Sequence, residues 1–524
     1  MRRFNVTGLC IPEEDYMVNI SGKIRQIKEL VDNRSYFTIN RARQYGKTTI
    51  LAALERALIN EYVVASISFE GLGSEDFSSS EAFCSAFMEL TKVAIRFSYA
   101  KEEYAEQWVN ENVTTFRMLS NHITSMCKDR KVVLLIDEVD KTSGNQVFLH
   151  FLSMLRSKFL ARKSREDSTF HSVILASVND IKNIKLKMIQ EGSYVPGEAE
   201  DKVYNSPWNI AVNFTVDLSF NPKEIATMLN AYEEDYHTGM DISAISEEIY
   251  GYTSGYPFLV SRICQCIDED LGKTWTAQGV KDAVKLILNE NNTLFDDVFK
   301  NLENNIELSD MIYELLILGE AKPYVIYDSI ISTGIRYGFF KCANSNNRLA
   351  ISNRVFELLI TDYFISKDLR RNKKATGIIQ LDVVRDGRFD MELCIRKFAE
   401  HYTEIFSGHD VEFLERHGRL LFLSYLKPLI NGQGFYHIES QVTDLRRMDI
   451  VVDFGRQQYI IELKVWRGEQ YQSEAYEQLC AYLESKRADV GYLLAFDFRK
   501  KANKAPKAEW IETSGKRIFE VIVC

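Results

Sequence analysis

A short apolar run, Tyr36-Phe37-Thr38-Ile39, gives way to a polar stretch containing one glycine and then to the helical run Ile50-Leu51-Ala52-Ala53-Leu54-Glu55. Ahead of it, Tyr16 to Ile20 leads into an amphipathic helix from Lys23 to Val31, with Ser21 placed to cap it. After it, Tyr62 to Phe69 is β-branched and partly alternating, as a strand should be. Helical pattern occupies residues 80–128. Val132-Val133-Leu134-Leu135-Ile136 is then apolar without a break, which suits a strand buried on both faces of a parallel sheet. A helix over 146–162 and a strand from Ser172 to Asn179 follow. Strands alternating with helices from residue 35 to 220 predict an α/β domain.

The pattern then changes. Residues 221–300 read as helices, with Asn221 as a cap and Pro222 in the first turn. Thr253 to Leu259 is either a lid element or a simple inter-helix turn. Glu307 to Tyr363 orders helix, turn, helix and two short strands, Tyr337–Lys341 and Arg348–Ser352, around the turn-rich tip Asn344–Asn347. This is the order of a winged helix, a module that binds DNA or serves only as a packing unit. Lys367 to Gln380 is charged and poor in large apolar residues, so a domain boundary falls there. Beyond it, Gly434–Val442, Arg447–Phe454 and Gln457–Val465 read as three strands. Gly455-Arg456 is a two-residue turn with glycine first. With that turn Phe454 faces Gln457, and counting back along both strands places Asp449 opposite Glu462. Four domains are expected: 1–220, 221–300, 301–366 and 380–524.

Two stretches carry chemistry. Asn40 to Thr49 contains Gly46-Lys47-Thr48 between a strand and a helix, the setting of a P-loop, although Arg41 stands at the first glycine position. Loop N–H groups and the helix N-terminus would face phosphate oxygens. Lys47 would reach the β- and γ-phosphates of ATP, and the Thr48 hydroxyl would bind Mg²⁺. Arg43, Gly46 and Thr49 complete the nucleotide-binding residues of the loop. Asp137 and Glu138, at the end of the long apolar run, suit a Walker B role: Asp137 on Mg²⁺, Glu138 polarising the attacking water. Asn179 either senses the γ-phosphate or caps the next segment. Arg156 and Arg162 either act on a neighbouring subunit's nucleotide or lie on a solvated face.

The second stretch is the C-terminal hairpin. Glu462 and Lys464 share a strand face and Asp449 faces Glu462, while Leu463 points the other way. Opposed carboxylates repel unless a divalent cation lies between them, and their oxygens suit Mg²⁺ or Mn²⁺. The bland reading is a surface salt-bridge ladder. Gln478 and Tyr482, four apart, share a helix face nearby.

Composition narrows the classes. The 524 residues are 46% hydrophobic and 26% charged, ordinary for soluble globular protein. No apolar run is long enough for a membrane span, and the N-terminus lacks a secretory h-region. Nine scattered cysteines argue for free thiols in a cytoplasm, and Cys264 and Cys266 for two buried helical thiols. Eight histidines form no zinc spacing. A net charge of −10 argues against non-specific coating of nucleic acid by the whole chain. Local basic runs at Lys367–Lys374 and Arg499–Lys507 are either solvated or contact it.

The Arg-x-Arg-x-x-Gly-Lys-Thr loop, Leu134-to-Asp140, Ala176-to-Asn183 and Ser206-to-Ala211 resemble, over residues 12–260, a family of AAA-like ATPases widespread in bacteria. Members are typically fused to a C-terminal nuclease domain. The resemblance implies ATP hydrolysis with Mg²⁺, and Arg41 fits that family's own loop. Asp449, then Glu462-Leu463-Lys464, then Gln478 and Tyr482, resemble the PD-(D/E)XK nuclease superfamily in its RecB-like branch, over residues 385–500. There Asp449 and Glu462 would hold the metal, Lys464, Gln478 and Tyr482 would complete the catalytic set, and Glu415 would add an acid from the preceding helix. Met448 stands in place of the family's proline. The expected fold is therefore a P-loop parallel sheet with helical lid and winged helix, then an α/β nuclease domain. The expected function is an ATPase switching or loading a metal-dependent nuclease, in defence or mobile-element biology. Nucleic acid, DNA first, is the expected partner, with self-assembly or a protein partner and no membrane. The alternatives are a signalling ATPase whose nuclease-like domain only binds a partner, and a DNA-binding regulator using the winged helix.

Overall fold

The computed structural model describes residues 2–97, 108, 113–142, 145–178, 181, 208–317, 320–343, 347–371, 383–385, 388–405, 415–430, 434–437, 450–455, 457–465, 469–497 and 507–523. It divides into two compact units: Met1–Asn301 with Ser332–Phe339, and Leu302–Ile331 with Phe340–Cys524. Among the described residues, no helix is long and apolar enough to cross a membrane.

The first unit is built on four parallel strands, β1 (Tyr36–Asn40), β2 (Val63–Ser68), β3 (Val132–Asp137) and β4 (Ser172–Ser177), in the order β1-β4-β3-β2. Every residue of β3 and β4 is buried. Both faces therefore need a helical cover. One face, with Phe37, Ile39, Val133, Leu135 and Ile174, packs on α1 (Ser21–Asp32) and α2 (Lys47–Leu58). The other, with Leu134, Ile136, Val173 and Leu175, packs on α3 (Ser80–Phe97), α4 (Phe116–Cys127) and α5 (Gln146–Lys163). Within the helical pattern expected over 80–128, α3 and α4 are the helices among the described residues. The second starts afresh where the Thr115 side chain accepts the Met118 N–H as an N-cap. Beyond the outer edge of β1 the chain returns: the Val212 N–H donates to the Tyr36 carbonyl and the Trp208 indole N–H to Thr38 Oγ1.

Helices α6 (Pro222–Tyr236), α7 (Ile242–Thr253), α8 (Pro257–Glu269), α9 (Ala277–Leu288) and α10 (Thr293–Asn304) follow. Asn221 and Glu224 close a reciprocal capping box at the start of α6. The α7–α8 turn is pinned at Gly255. Its φ is +74° and a Cβ there would lie 1.9 Å from the Phe220 carbonyl oxygen, while the Phe220 N–H donates to the Gly255 carbonyl.

The second unit holds α11 (Ile306–Leu316), and α12 (Ser329–Arg336) begins in it. A hairpin of β5 (Phe340–Ala343) and β6 (Arg348–Ile351) and then α13 (Arg354–Arg371) follow. Residues 322–324 lie against β6, since Leu349 N–H donates to the Lys322 carbonyl and Tyr324 N–H to the Asn347 carbonyl. After a short β7–β8 pair (Val384–Arg385, Arg388–Phe389), α14 (Met391–Ile405) and α15 (Glu415–Ile430) precede a six-stranded sheet. Its strands are β9 (Gly434–His437), β10 (Ile450–Phe454), β11 (Gln457–Val465), β12 (Val490–Phe496), β13 (Lys507–Thr513) and β14 (Lys516–Val523), in the order β13-β14-β12-β11-β10-β9. The β11–β12 and β12–β14 pairs are parallel and the others antiparallel. The β10–β11 register runs from Phe454 opposite Gln457 to Ile450 opposite Ile461, as the two-residue turn predicts, with Gly455 at φ +60°. Helix α16 (Glu469–Ser485) covers one sheet face, its Ala475, Leu479 and Leu483 on Val451, Ile460, Leu493 and Ile518.

Replacing Gly255 by alanine should lower stability by about 2 kcal/mol or more, because left-handed strain adds to the clash with Phe220. Denaturant unfolding of the two proteins measures this.

Candidate functional site

In the first unit the loop after β1 turns twice through left-handed backbone, at Gln44 (φ +54°) and at Gly46 (φ +75°), before α2 starts at Lys47. The helix N-terminus and its free N–H groups therefore face the C-terminal edge of the sheet, where ligand crevices open in parallel sheets. Lys47 Nζ lies 3.0 Å from both the Arg41 and Ala42 carbonyl oxygens. Burial depresses its pKa, and the nearby carboxylates of Asp140, Asp137 and Glu138 oppose that shift. Thr48 Oγ1 donates to Asp137 Oδ2 at 2.7 Å, although β4 intervenes between β1 and β3. The other Asp137 oxygen accepts the Glu138 N–H at 2.9 Å. Glu138 itself sits at φ +55°. Burial raises its pKa, Asp137 and Asp140 raise it further, and Lys47 draws it down.

Arg41, where the motif has glycine, explains its own presence. Its guanidinium turns back to donate to the carbonyls of Asn40 and Val216, both at 2.9 Å, and lies over the Phe214 ring. It thereby ties the loop to the returning segment beyond β1. Arg43 reaches Asp297 of α10 (3.4 Å), and Thr49 Oγ1 accepts the Cys10 N–H (3.4 Å). A cavity of about 300 Å³ opens beside Gly46 and Thr49, between the segment of residues 5–20 and the start of α8. Its walls include Val6, Tyr16, Ile20, Tyr45, Leu218 and Phe258.

Three groups need further comment. Asn179 lies outside the described residues; the strand tip within them is Ser177, whose hydroxyl donates to Asn40 Oδ1 at 2.8 Å. Asp140, to which no role was assigned above, accepts the Val178 N–H and so ties β3 to β4 at the same edge. Arg162 neither lies on a solvated face nor projects as a finger. It donates to the Phe170, His171 and Arg34 carbonyls and stacks on Tyr36 and Phe159. Those carbonyls precede β4 and β1, at the sheet edge opposite Asp137.

In the second unit, Glu462 and Lys464 lie on β11 with Lys464 Nζ 2.9 Å from Glu462 Oε1. Both share the face of Ile460, which α16 covers; Leu463 is buried on the other face. The Glu462 side chain is fully buried, so it is no surface ladder. Gln478 and Tyr482 of α16 cover the same face, with Gln478 Oε1 and Tyr482 Oη buried. Asp449 lies outside the described residues. Glu415 opens α15, but its side chain too lies outside them. Among the described residues no three potential metal-ligating carboxylate, imidazole or thiol groups come together. A second buried carboxylate shares the row: Glu462 pairs with Leu493, and Leu493 with Glu520, which accepts the Tyr476 hydroxyl at 2.9 Å. Sequence reasoning passed over Glu520, although a lone carboxylate inside the apolar run from Ile518 to Val523 is a visible signal.

Two family models match. One, described as an AAA-like domain, covers residues 16–283, just over half of the chain; the other, the PD-(D/E)XK nuclease superfamily, covers 435–506. Among solved structures, a Walker-type ATPase of Pyrococcus abyssi is similar at 12% identity and a TM-score of 0.45, with 68% of this chain and 99% of that chain covered. The ORC2 protein of Aeropyrum pernix, in complexes with ADPNP and ADP, is similar at 10% identity and a TM-score of 0.35, covering 70% and 98%. No curated protein matches.

The raised pKa of Glu138 has a signed consequence. Its ionised form is disfavoured in the folded state, so stability is lost as pH rises from the unfolded carboxylate pKa through the folded one. Glu138→Gln should therefore melt at a higher temperature than wild type at pH 7, and the gap should close as pH falls below the carboxylate range. Thermal melts across pH check this.

Proposed function

The chain belongs to the AAA-like domain family and carries a C-terminal domain of the PD-(D/E)XK nuclease superfamily, and from that premise we propose that it hydrolyses ATP to switch or load a nuclease that cleaves nucleic acid phosphodiesters, DNA first. The observation that carries the ATPase reading is the meeting of Lys47, Thr48, Asp137 and Glu138 at one sheet edge. Lys47, held by two carbonyls, is placed to transfer its ammonium to phosphate oxygens. The Thr48 hydroxyl and Asp137 carboxylate are hard oxygen donors 2.7 Å apart, a set that fits Mg²⁺. Glu138 orients the attacking water and receives its proton, a task that a raised pKa suits. The mainly apolar cavity beside Gly46 has the size to take the nucleobase.

The nuclease reading rests on the buried Glu462 and its Lys464 neighbour. The two-residue turn at Gly455-Arg456 predicts Asp449 opposite Glu462, and the described pairs from Phe454 opposite Gln457 to Ile450 opposite Ile461 follow the register that this prediction uses. Two carboxylates so placed fit Mg²⁺ or Mn²⁺, with Glu415 as a further donor. The bound cation would neutralise the scissile phosphate and acidify a water. Lys464 stabilises the charge that builds on the phosphate, and Gln478 and Tyr482 orient the group from the helix above. The winged-helix-like region of residues 301–366 gives a contact surface for DNA or a protein partner, and self-assembly through the ATPase unit is part of the same reading. The eight described cysteines are free thiols, which suits a reducing cytoplasm.

Lys47→Ala should weaken ATP binding by about 100-fold or more, because a buried ammonium on the phosphates is lost. Glu462→Ala and Lys464→Ala should each lower cleavage of DNA or RNA in Mg²⁺ or Mn²⁺ by about 100-fold or more and leave ATP hydrolysis intact. Binding titrations and cleavage gels with and without ATP read both. Nucleotide-dependent assembly with intact nucleic acid under every condition would instead mean a non-cleaving interaction domain.

A further inference from the structure

The P-loop tip touches three elements outside the sheet. Gln44 Nε2 donates to Thr293 Oγ1 of α10 at 2.6 Å. Arg43 pairs with Asp297 one turn further along α10. The buried Tyr256 donates its hydroxyl to the Arg43 carbonyl at 2.5 Å and packs edge-on against Tyr45. Gly338, at φ +80°, approaches so closely that a Cβ there would lie 3.0 Å from the Ala42 Cβ and 3.6 Å from the Tyr256 ring. Thr293, Asp297 and Gly338 all lie beyond residue 283, outside the stretch that matches the ATPase family model.

These elements have a second property in common. The chain passes between the two compact units at three places, after Asn301, after Ile331 and after Phe339. The first lies within α10, four residues past Asp297. The second lies within α12, and the third one residue past Gly338. Every described covalent connection between the units thus runs through, or directly beside, a segment that carries a P-loop contact or leads straight to one.

We propose that Thr293 and Asp297 are positioning residues of the nucleotide site, and that α10 passes the state of the P-loop to the nuclease-bearing unit. The reading rests on the proposed ATPase activity. Gln44 holds a left-handed backbone at φ +54°, and its side-chain amide anchors that turn to the Thr293 hydroxyl. The Arg43–Asp297 pair is the switchable part. Arg43 is 71% exposed, so the pair is weak, and phosphates arriving on the loop compete for the guanidinium. Nucleotide binding then releases Asp297 while Gln44 stays anchored to Thr293. The first turn of α10 keeps its hold and the next turn loses its tether.

The test uses the full chain with ADP and the non-hydrolysable analogue ADPNP. Binding is titrated, and hydrogen–deuterium exchange is followed at residues 293–304 and 457–465. Wild type should change its exchange at both segments between nucleotide-free and ADPNP-saturated states. Thr293→Val should bind nucleotide about five-fold more weakly, the factor carried by one ordinary hydrogen bond, whereas Asp297→Asn, which removes the carboxylate that competes with phosphate for Arg43, should bind no more weakly than wild type, and the double variant should lose the change at 457–465. Thr293→Ser, which keeps the hydroxyl, should retain it. Where the double variant fails to fold, Asp297→Asn alone carries the test of the relay. A saturated wild type with unchanged exchange at 293–304, or a double variant that still relays, overturns the proposal and leaves the ATPase reading standing. Failure of wild type to bind either nucleotide overturns both.

Discussion

The hydrogen bond from Thr48 to Asp137 joins the start of a helix to the tip of a strand that does not neighbour its own. It can form only because β1, β4 and β3 run parallel and end at one edge. That parallel order in turn depends on burial. Strands with every residue buried need helices on both faces, and the crossovers that supply them bring each strand back in the same direction. From this one constraint follow the crevice at the C-terminal edge, the convergence of Lys47, Asp137, Glu138 and Asp140 there, and the raised pKa of Glu138. At the opposite edge the Arg162 guanidinium donates to the Phe170, His171 and Arg34 carbonyls.

The second unit reaches a polar site by a different route. Here a tight hairpin sets register, and register sets which side chains meet. Glu462 is carried under α16 by the same alternation that sends Leu463 to the other side. A fully buried carboxylate is costly unless paired, and Lys464 on the same strand is the partner two residues away. The Tyr476–Glu520 bond places a second buried carboxylate on the same face two strands away, with Leu493 of β12 between the two.

Much of both sites was legible because it depends on local pattern. The unbroken apolar run before Asp137 announces a buried strand, and the glycine-first turn at Gly455 dictates the observed pairing from Phe454 to Ile450. The helical pattern over residues 80–128 was legible from apolar periodicity, whereas the start of α4 is set by the Thr115 cap, which periodicity does not show. Arg41 looked like a defect in the loop. Its function as a tie to the Val216 carbonyl depends on a segment 175 residues away, which no local pattern contains.

By itself, then, the sequence determined the order of the described elements, the position of Lys47 and Thr48 at a helix start and of Asp137 at a strand end, and the hairpin register from Phe454 to Ile450. Each of these follows from side-chain period, glycine or carboxylate chemistry within a dozen residues. Only the tertiary structure decided where Arg162 and Arg41 point, that Glu462 is fully buried, and that Gln44 and Arg43 lean on Thr293 and Asp297. Those facts depend on contacts between segments far apart in the chain. Such contacts are selected by packing of whole elements, to which the spacing of residues along the chain gives no direct access.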